Sequence, residues 1–187
     1  MNGKTLMALF LAFIMISSIG GFVLTSSHIT GTADVQRVEL GEYTFTQTHQ
    51  GYTTYTDDEQ IIIISSDPRT LDVAATPDID IAELNSGNKL YIAFQPEENT
   101  QTTLAHFDAN IRPRLRSFTP ACIKDSTQCS SLPLITCENA SPYIKVIQIQ
   151  LANESSVTYE NNCLLVEGNQ FQIQSMLDAL ILRLLLY

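Results

Sequence analysis

Lys89 to Pro96 reads KLYIAFQP, an apolar β-forming run stopped by a proline. Behind it, Leu104, Phe107, Ile111, Leu115 and Phe118 recur at three- and four-residue spacing, as one helix face would. Glu97, Glu98, Asn99 and Thr100 make a suitable start, with acids at the positive end of the helix dipole. Pro113 bends or ends the helix. A strand followed in this way by a helix predicts a sheet with a helix packed against it.

N-terminal to this unit the chain is β-rich. Glu42 to Gln47 alternates, with Tyr43 and Phe45 on one face. Gln50 and Gly51 suit a turn, and Tyr52 to Thr56 continues the pattern. After the polar turn Asp57-Asp58-Glu59, the four isoleucines Ile61 to Ile64 suggest a strand covered on both faces. Together they predict a three-stranded meander. Asp78 to Asn85 suits one or two helical turns, closed by Gly87.

C-terminal to it, four strands are expected: Leu134 to Cys137, Tyr143 to Leu151, Ser156 to Tyr159 and Cys163 to Val166. Gln170 to Tyr187 is a helix whose Ile173, Met176, Leu177, Leu180, Ile181, Leu184 and Tyr187 share one broad face. Its tail, Ala179 to Tyr187, is almost wholly apolar and too short to span a bilayer. It plugs the core, lies on a membrane, or packs on a partner. No internal repeat is present.

Residues 5–27 carry no charge, and the core of that run, Thr5 to Leu24, is 20 apolar-rich residues. Twenty helical residues span roughly 30 Å, the thickness of a bilayer's hydrocarbon core. A removed signal peptide has a shorter apolar run, and Gly31-Thr32-Ala33, the one suitable cleavage site, lies well beyond it. The expected organisation is a cytoplasmic N-terminus at 1–4, a transmembrane anchor at 5–27, a stalk at 28–34 and one domain at 35–187. Lys4 before the helix and Asp34 after it place the domain outside the cytoplasm. A pilin-type leader is a poor fit, because no Glu lies in the apolar run.

The chain has 20 acidic and 10 basic residues, a net charge of −10. Nucleic acid is therefore excluded as a partner, since phosphate binding needs a basic face. Membrane lipid through residues 5–27 and a protein of the envelope are the expected partners.

Cys122, Cys129, Cys137 and Cys163 form an even set, compatible with three pairings. Cys122 with Cys129, closing a polar loop, and Cys137 with Cys163, tying two strands, is the favoured scheme. Tight zinc hooks and Cys-x-x-Cys redox spacing are both absent. Asn139 and Asn153 stand in N-glycosylation sequons, which suits the same compartment.

No hydrolase elbow, zincin helix or phosphate loop occurs, and nothing calls for a cofactor or metal. His28, His49 and His106 are scattered and read as surface residues. The acid pairs Asp57 with Asp58, Asp78 with Asp80, and Glu97 with Glu98 are the candidates for carboxylate chemistry. Each sits where acids serve turns and helix starts. Asp78, Asp80 and Glu83 offer calcium ligands but lack the glycine and ligand count of an EF loop. Arg112, Arg114 and Arg116 form a small basic cluster at a helix end.

The order of a short anchor, YTFTQTHQGYTTYTDDEQIIII at 43–64, KLYIAFQP with its helix, LPLITCENAS at 132–141, YENNCLLVEG at 159–168 and a Leu-rich final helix resembles a set of small single-pass proteins encoded in archaeal genomes. The resemblance implies an archaeal envelope setting and no particular reaction.

The expected fold is thus an α+β extracytoplasmic domain, with an antiparallel-rich sheet and the C-terminal helix packed on it. The expected role is a non-enzymatic structural or interaction protein of the cell envelope, an accessory subunit of a membrane complex. An anchored carboxylate hydrolase and a small-ligand-binding module are the alternatives.

Overall fold

A computed structural model describes residues 36–96 and 100–187 of the chain. The expected anchor, the stalk and the Glu97–Glu98 pair lie outside the described residues. Among those described, no helix is long and apolar enough to cross a membrane. Gln36–Tyr187 forms one compact unit of α+β architecture.

The first sheet is an antiparallel meander of β1 (Arg37–Leu40), β2 (Tyr43–Thr48), β3 (Gly51–Tyr55) and β4 (Ile61–Ile64), in that order. It has four strands rather than three; the added β1 is short and mostly polar, so it carries no clear alternation. Gly51 is required at its turn. Its φ is +126°, and a Cβ there would lie 2.2 Å from the Ile64 carbonyl oxygen.

The isoleucine run corrects the expectation of a strand covered on both faces. Ile62 and Ile64 are buried, Ile63 is half-buried, and Ile61 is 56% exposed. The reason is position: β4 is the outer strand of the meander and pairs only with β3. Its free side is met by a side chain. Ile63 N–H donates to Asn110 Oδ1 at 3.0 Å, and Asn110 Nδ2 donates to the Ile63 carbonyl at 2.9 Å. The carboxamide thus stands in for a neighbouring peptide group at a sheet edge.

Two 3-10 turns (Pro68–Thr70 and Val73–Ala75) and the short helix α1 (Ile81–Asn85) lead to the second sheet. It comprises β5 (Lys89–Phe94), β6 (Thr119–Cys122), β7 (Ile144–Leu151), β8 (Ser156–Glu160) and β9 (Cys163–Gly168), in the spatial order β6-β5-β7-β9-β8. Here the antiparallel-rich expectation is corrected. β5 pairs in parallel with β6 and β7, and β7 with β9; only β8 runs against its neighbour. Parallel pairing follows from the connection: helix α2 (Thr100–Ile111) carries the chain from the end of β5 back to the start of β6. Pro120 hides β6 from a pattern search, and Leu134 to Cys137 is not a strand. Leu134 makes one isolated bridge to Cys122, and Cys137–Asn139 is a 3-10 turn.

A parallel sheet needs cover on both faces. One face of β5, β7 and β9 presents Leu90, Ile92, Ile147, Ile149, Leu164 and Val166 to α2 and to the final helix α3 (Gln170–Leu186). The same apolar cluster takes in Val38, Phe45, Ile62 and Ile64 of the meander, so both sheets share one core. The opposite face presents Ala93, Ala121, Val146 and Cys163, covered by Ile123, Ile135, Cys137 and Ala140 of the connection between β6 and β7. That connection has few backbone pairs, and two disulfides hold it: Cys122–Cys129 and Cys137–Cys163.

Helix α3 starts at a capping box. Gln172 N–H donates to Asn169 Oδ1 at 3.1 Å, and Asn169 N–H donates to Gln172 Oε1 at 3.0 Å. Ile173, Leu177, Leu180, Ile181 and Leu184 are buried, so the apolar tail plugs the core. Its end is fixed by Tyr43, whose hydroxyl donates to the Leu186 carbonyl at 3.2 Å.

Candidate functional site

Beside the outer strand β8 lies an open cleft of about 630 Å³. Its apolar part is made by Leu71, Ala75, Val157, Met176 and Phe171, and its rim by Thr70, Asp72, Ser155 and Gln172. The size falls within the range of small-ligand and side-chain pockets. Phe171 is 85% exposed at the mouth. It is the second residue of α3 and points away from the stripe that fills the core. Single exposed apolar side chains are ordinary; Phe171 differs in being the most exposed large one among the described residues and in bordering an apolar recess with Leu71, Val157 and Met176.

Further along β8, on the same face of the sheet, is a second open cavity of about 630 Å³, lined by Asp78, Ile79, Asp80, Ala82, Glu83 and Tyr159. Lys145 is bonded to two of its lining residues, Glu83 and Tyr159. The Lys145 side chain is only 4% exposed, and its ammonium donates to Glu83 Oε1, to Asn162 Oδ1 at 2.8 Å and weakly to the Tyr159 hydroxyl at 3.5 Å. Tyr159 donates to Glu83 Oε1 at 2.7 Å. All three ammonium protons therefore have acceptors, as a buried lysine requires.

This arrangement ties α1 to β7 and β8 of the second sheet. Burial, then Glu83, push the Tyr159 phenol far above its ordinary range, which is the wrong direction for a base. Bonds from Lys145, then Tyr159, hold the Glu83 carboxyl below its usual value. A depressed carboxyl stabilises the fold above its unfolded pKa, near 4.5, and that contribution is lost as the pH falls through the native value. Glu83→Ala strands a buried ammonium and is expected to cost about 3 kcal/mol. That is the low end for a broken buried pair, because the Glu83 side chain is itself 42% exposed. Adding Lys145→Met should restore most of the loss; urea denaturation of both variants checks it.

Asp178 on α3 has no exposed surface. Its Oδ2 accepts from Ser65 N–H at 3.1 Å and Ser66 N–H at 2.8 Å, and its Oδ1 accepts from Gln174 Nε2 at 3.1 Å. His106 Nε2 lies 3.9 Å from Oδ1, is buried, and makes no hydrogen bond. His106 is half-buried on the flank of α2, beside core-facing Phe107, rather than a free surface residue, with its ring turned toward Asp178 of α3.

Of the acids expected to act together, Asp78, Asp80 and Glu83 line one cavity but each is engaged separately, and Asp58 is not among them. Asp58 pairs with Arg114 at 3.0 Å, Asp78 pairs with Arg183, and Asp80 caps α1 by accepting from Glu83 N–H at 2.7 Å. Each described acid singled out for carboxylate chemistry, Asp57 aside, thus has a structural partner. The arginine cluster disperses too. Arg112 pairs with Asp108 at 2.7 Å and stacks over Phe118 at 4.6 Å, while Arg114 also reaches Gln60 Oε1 at 2.6 Å. Asn139 and Asn153 are both exposed, the first accepting from Thr136 N–H at 2.8 Å. Lys145, Asp178, Asn110 and Phe171 were not signalled by any motif. A lysine inside an apolar strand was the one visible clue among them.

Compared with known proteins, the chain matches no family model, no curated protein and no solved structure.

Proposed function

We propose that the chain is a membrane-anchored, extracytoplasmic interaction protein of the cell envelope that serves a larger membrane complex without catalysis of its own. The observation that carries this reading is the cleft beside β8 with Phe171 exposed at its mouth, in a domain where Asp58, Asp78, Asp80 and Glu83 are engaged by arginines, a helix cap and a lysine. Two disulfides favour an oxidising compartment, and the exposed sequon asparagines Asn139 and Asn153 suit it. The uncharged run at 5–27 supplies the anchor.

The test is a photo-crosslinking residue placed at Phe171 in the full chain, followed by extraction of native membranes in mild detergent. A discrete crosslinked polypeptide is expected, reduced when Met176→Glu disrupts the cleft. A chain recovered only as a lone, uncrosslinked monomer overturns the reading. The cleft volume also suits a small molecule; a bound compound released on denaturing the purified protein would favour that alternative.

A further inference from the structure

We propose that the partner is received as an extended segment that pairs with the free edge of β8 and carries an apolar residue and a lysine or arginine two positions apart. This rests on the interaction reading above and adds the mode and the chemistry of the partner.

The backbone of β8 is the starting point. β8 and β9 are joined by Asn161 and Asn162, with φ of +50° and +69°, a two-residue turn of the hairpin-forming kind. In such a hairpin the flanking pair, Glu160 and Cys163, exchanges both hydrogen bonds, and bonded pairs then alternate. Thr158 and Ser156 therefore bond inward to β9. The N–H and C=O groups of Val157 and Tyr159 point outward, where no described residue makes a backbone hydrogen bond to them. Two other sheet edges are closed. Asn110 clamps β4 at Ile63, while β6 carries Pro120 and is bridged by Leu134. An outer strand without such protection is a template for strand addition.

The side chains define what would be added. Val157 and Tyr159 both face the α3 side of the sheet, and each opens onto one of the two cavities. A partner strand running parallel to β8 places the residues opposite Val157 and Tyr159, in that order, on the same face, two positions apart, about 6.8 Å. The residue opposite Val157 meets the apolar cleft with Phe171 and Met176. The residue opposite Tyr159 meets a cavity with three carboxylates, Asp78, Asp80 and Glu83, against two cations, Arg183 and Lys145. Asp78 is 96% exposed and remains open to a second cation. The chain's net charge of −10 repels an acidic segment, including a second copy of itself.

The experiment uses the full chain in mild detergent and three blocked pentapeptides: TLTKT, TLTET, and TLTKT methylated on the backbone nitrogens that would face β8. Hydrogen–deuterium exchange over 156–160 and equilibrium binding are read together. TLTKT is expected to slow exchange there and to bind about tenfold more tightly than TLTET, with an advantage that shrinks as salt rises. The methylated peptide is expected to lose both effects. Equal binding of TLTKT and TLTET, or undiminished binding of the methylated peptide, overturns the proposal. So does binding of none, or protection of 156–160 that depends on protein concentration alone, which would point to a second copy. Crosslinking through Phe171 would still stand in each of those outcomes, so the two readings fail separately.

Discussion

Chains carrying Cys137→Ser with Cys163→Ser are expected to lose about 3.5 kcal/mol of stability. The bridge joins residues 26 apart, and the chain-entropy estimate for a loop of that length gives this figure. Cys122→Ser with Cys129→Ser opens a bridge that spans a separation of only 7 and should cost about 2.4 kcal/mol. The larger bridge has a second role. It pins the 3-10 turn at Cys137–Asn139 to the start of β9 and so keeps Ile135 and Ala140 over Val146 and Ala93. Urea denaturation of the two double variants gives the comparison, and binding of an apolar dye reports the uncovered sheet face. If the two variants were equally stable, or neither bound more dye than the parent, the connection would be holding its place without the staples.

Asp178→Ala is expected to cost about 3 kcal/mol. It removes the acceptor of the Ser65 and Ser66 N–H groups, and a hydrogen bond to a charged group is worth about 1.5–3 kcal/mol; Ser65 is exposed, so water can replace one of the two. The sum is held down because the carboxyl is itself strained by burial, which raises its pKa above the ordinary 3.8; bonds from Ser66 and the neighbouring His106 pull the other way. The sign follows. Between 3.8 and the raised native value the folded state holds the proton that the unfolded state has lost, so stability falls as the pH rises through that window. Asp178→Asn keeps an acceptor for both serine N–H groups and should cost less than the alanine variant. It should also lack the fall. Urea midpoints of parent and variants across pH 3 to 7 check this; an asparagine variant with the parent's full pH profile would show that another group is responsible.

The legible parts of the fold were those with a regular period. The three- and four-residue spacing of Leu104, Phe107 and Ile111 located α2, and the broad stripe from Ile173 to Leu184 located α3. Alternation found β2, with Phe45 inward. The direction of the second sheet was not legible, because parallel and antiparallel strands show the same apolar runs and differ only in their connections. β6 was missed because Pro120 breaks a strand pattern anywhere but at an edge. The isoleucine run misled for a related reason: composition reports how apolar a strand is, whereas Ile61 is exposed by where β4 stands in its sheet. The site was harder still. Asn110, His106 and Asp178 come together only when α2 and α3 pack beside β4, and no local spacing encodes that meeting.

All nine described strands precede α3 in the chain, yet α3 lies at the centre of the cluster that both sheets share. A polypeptide emerging N-terminus first would therefore expose two half-finished sheets until its keystone arrives. Any copy cut short before Gln170 loses Ile173, Leu177, Leu180, Ile181, Leu182 and Leu184 from that shared cluster and is expected to be open to proteolysis.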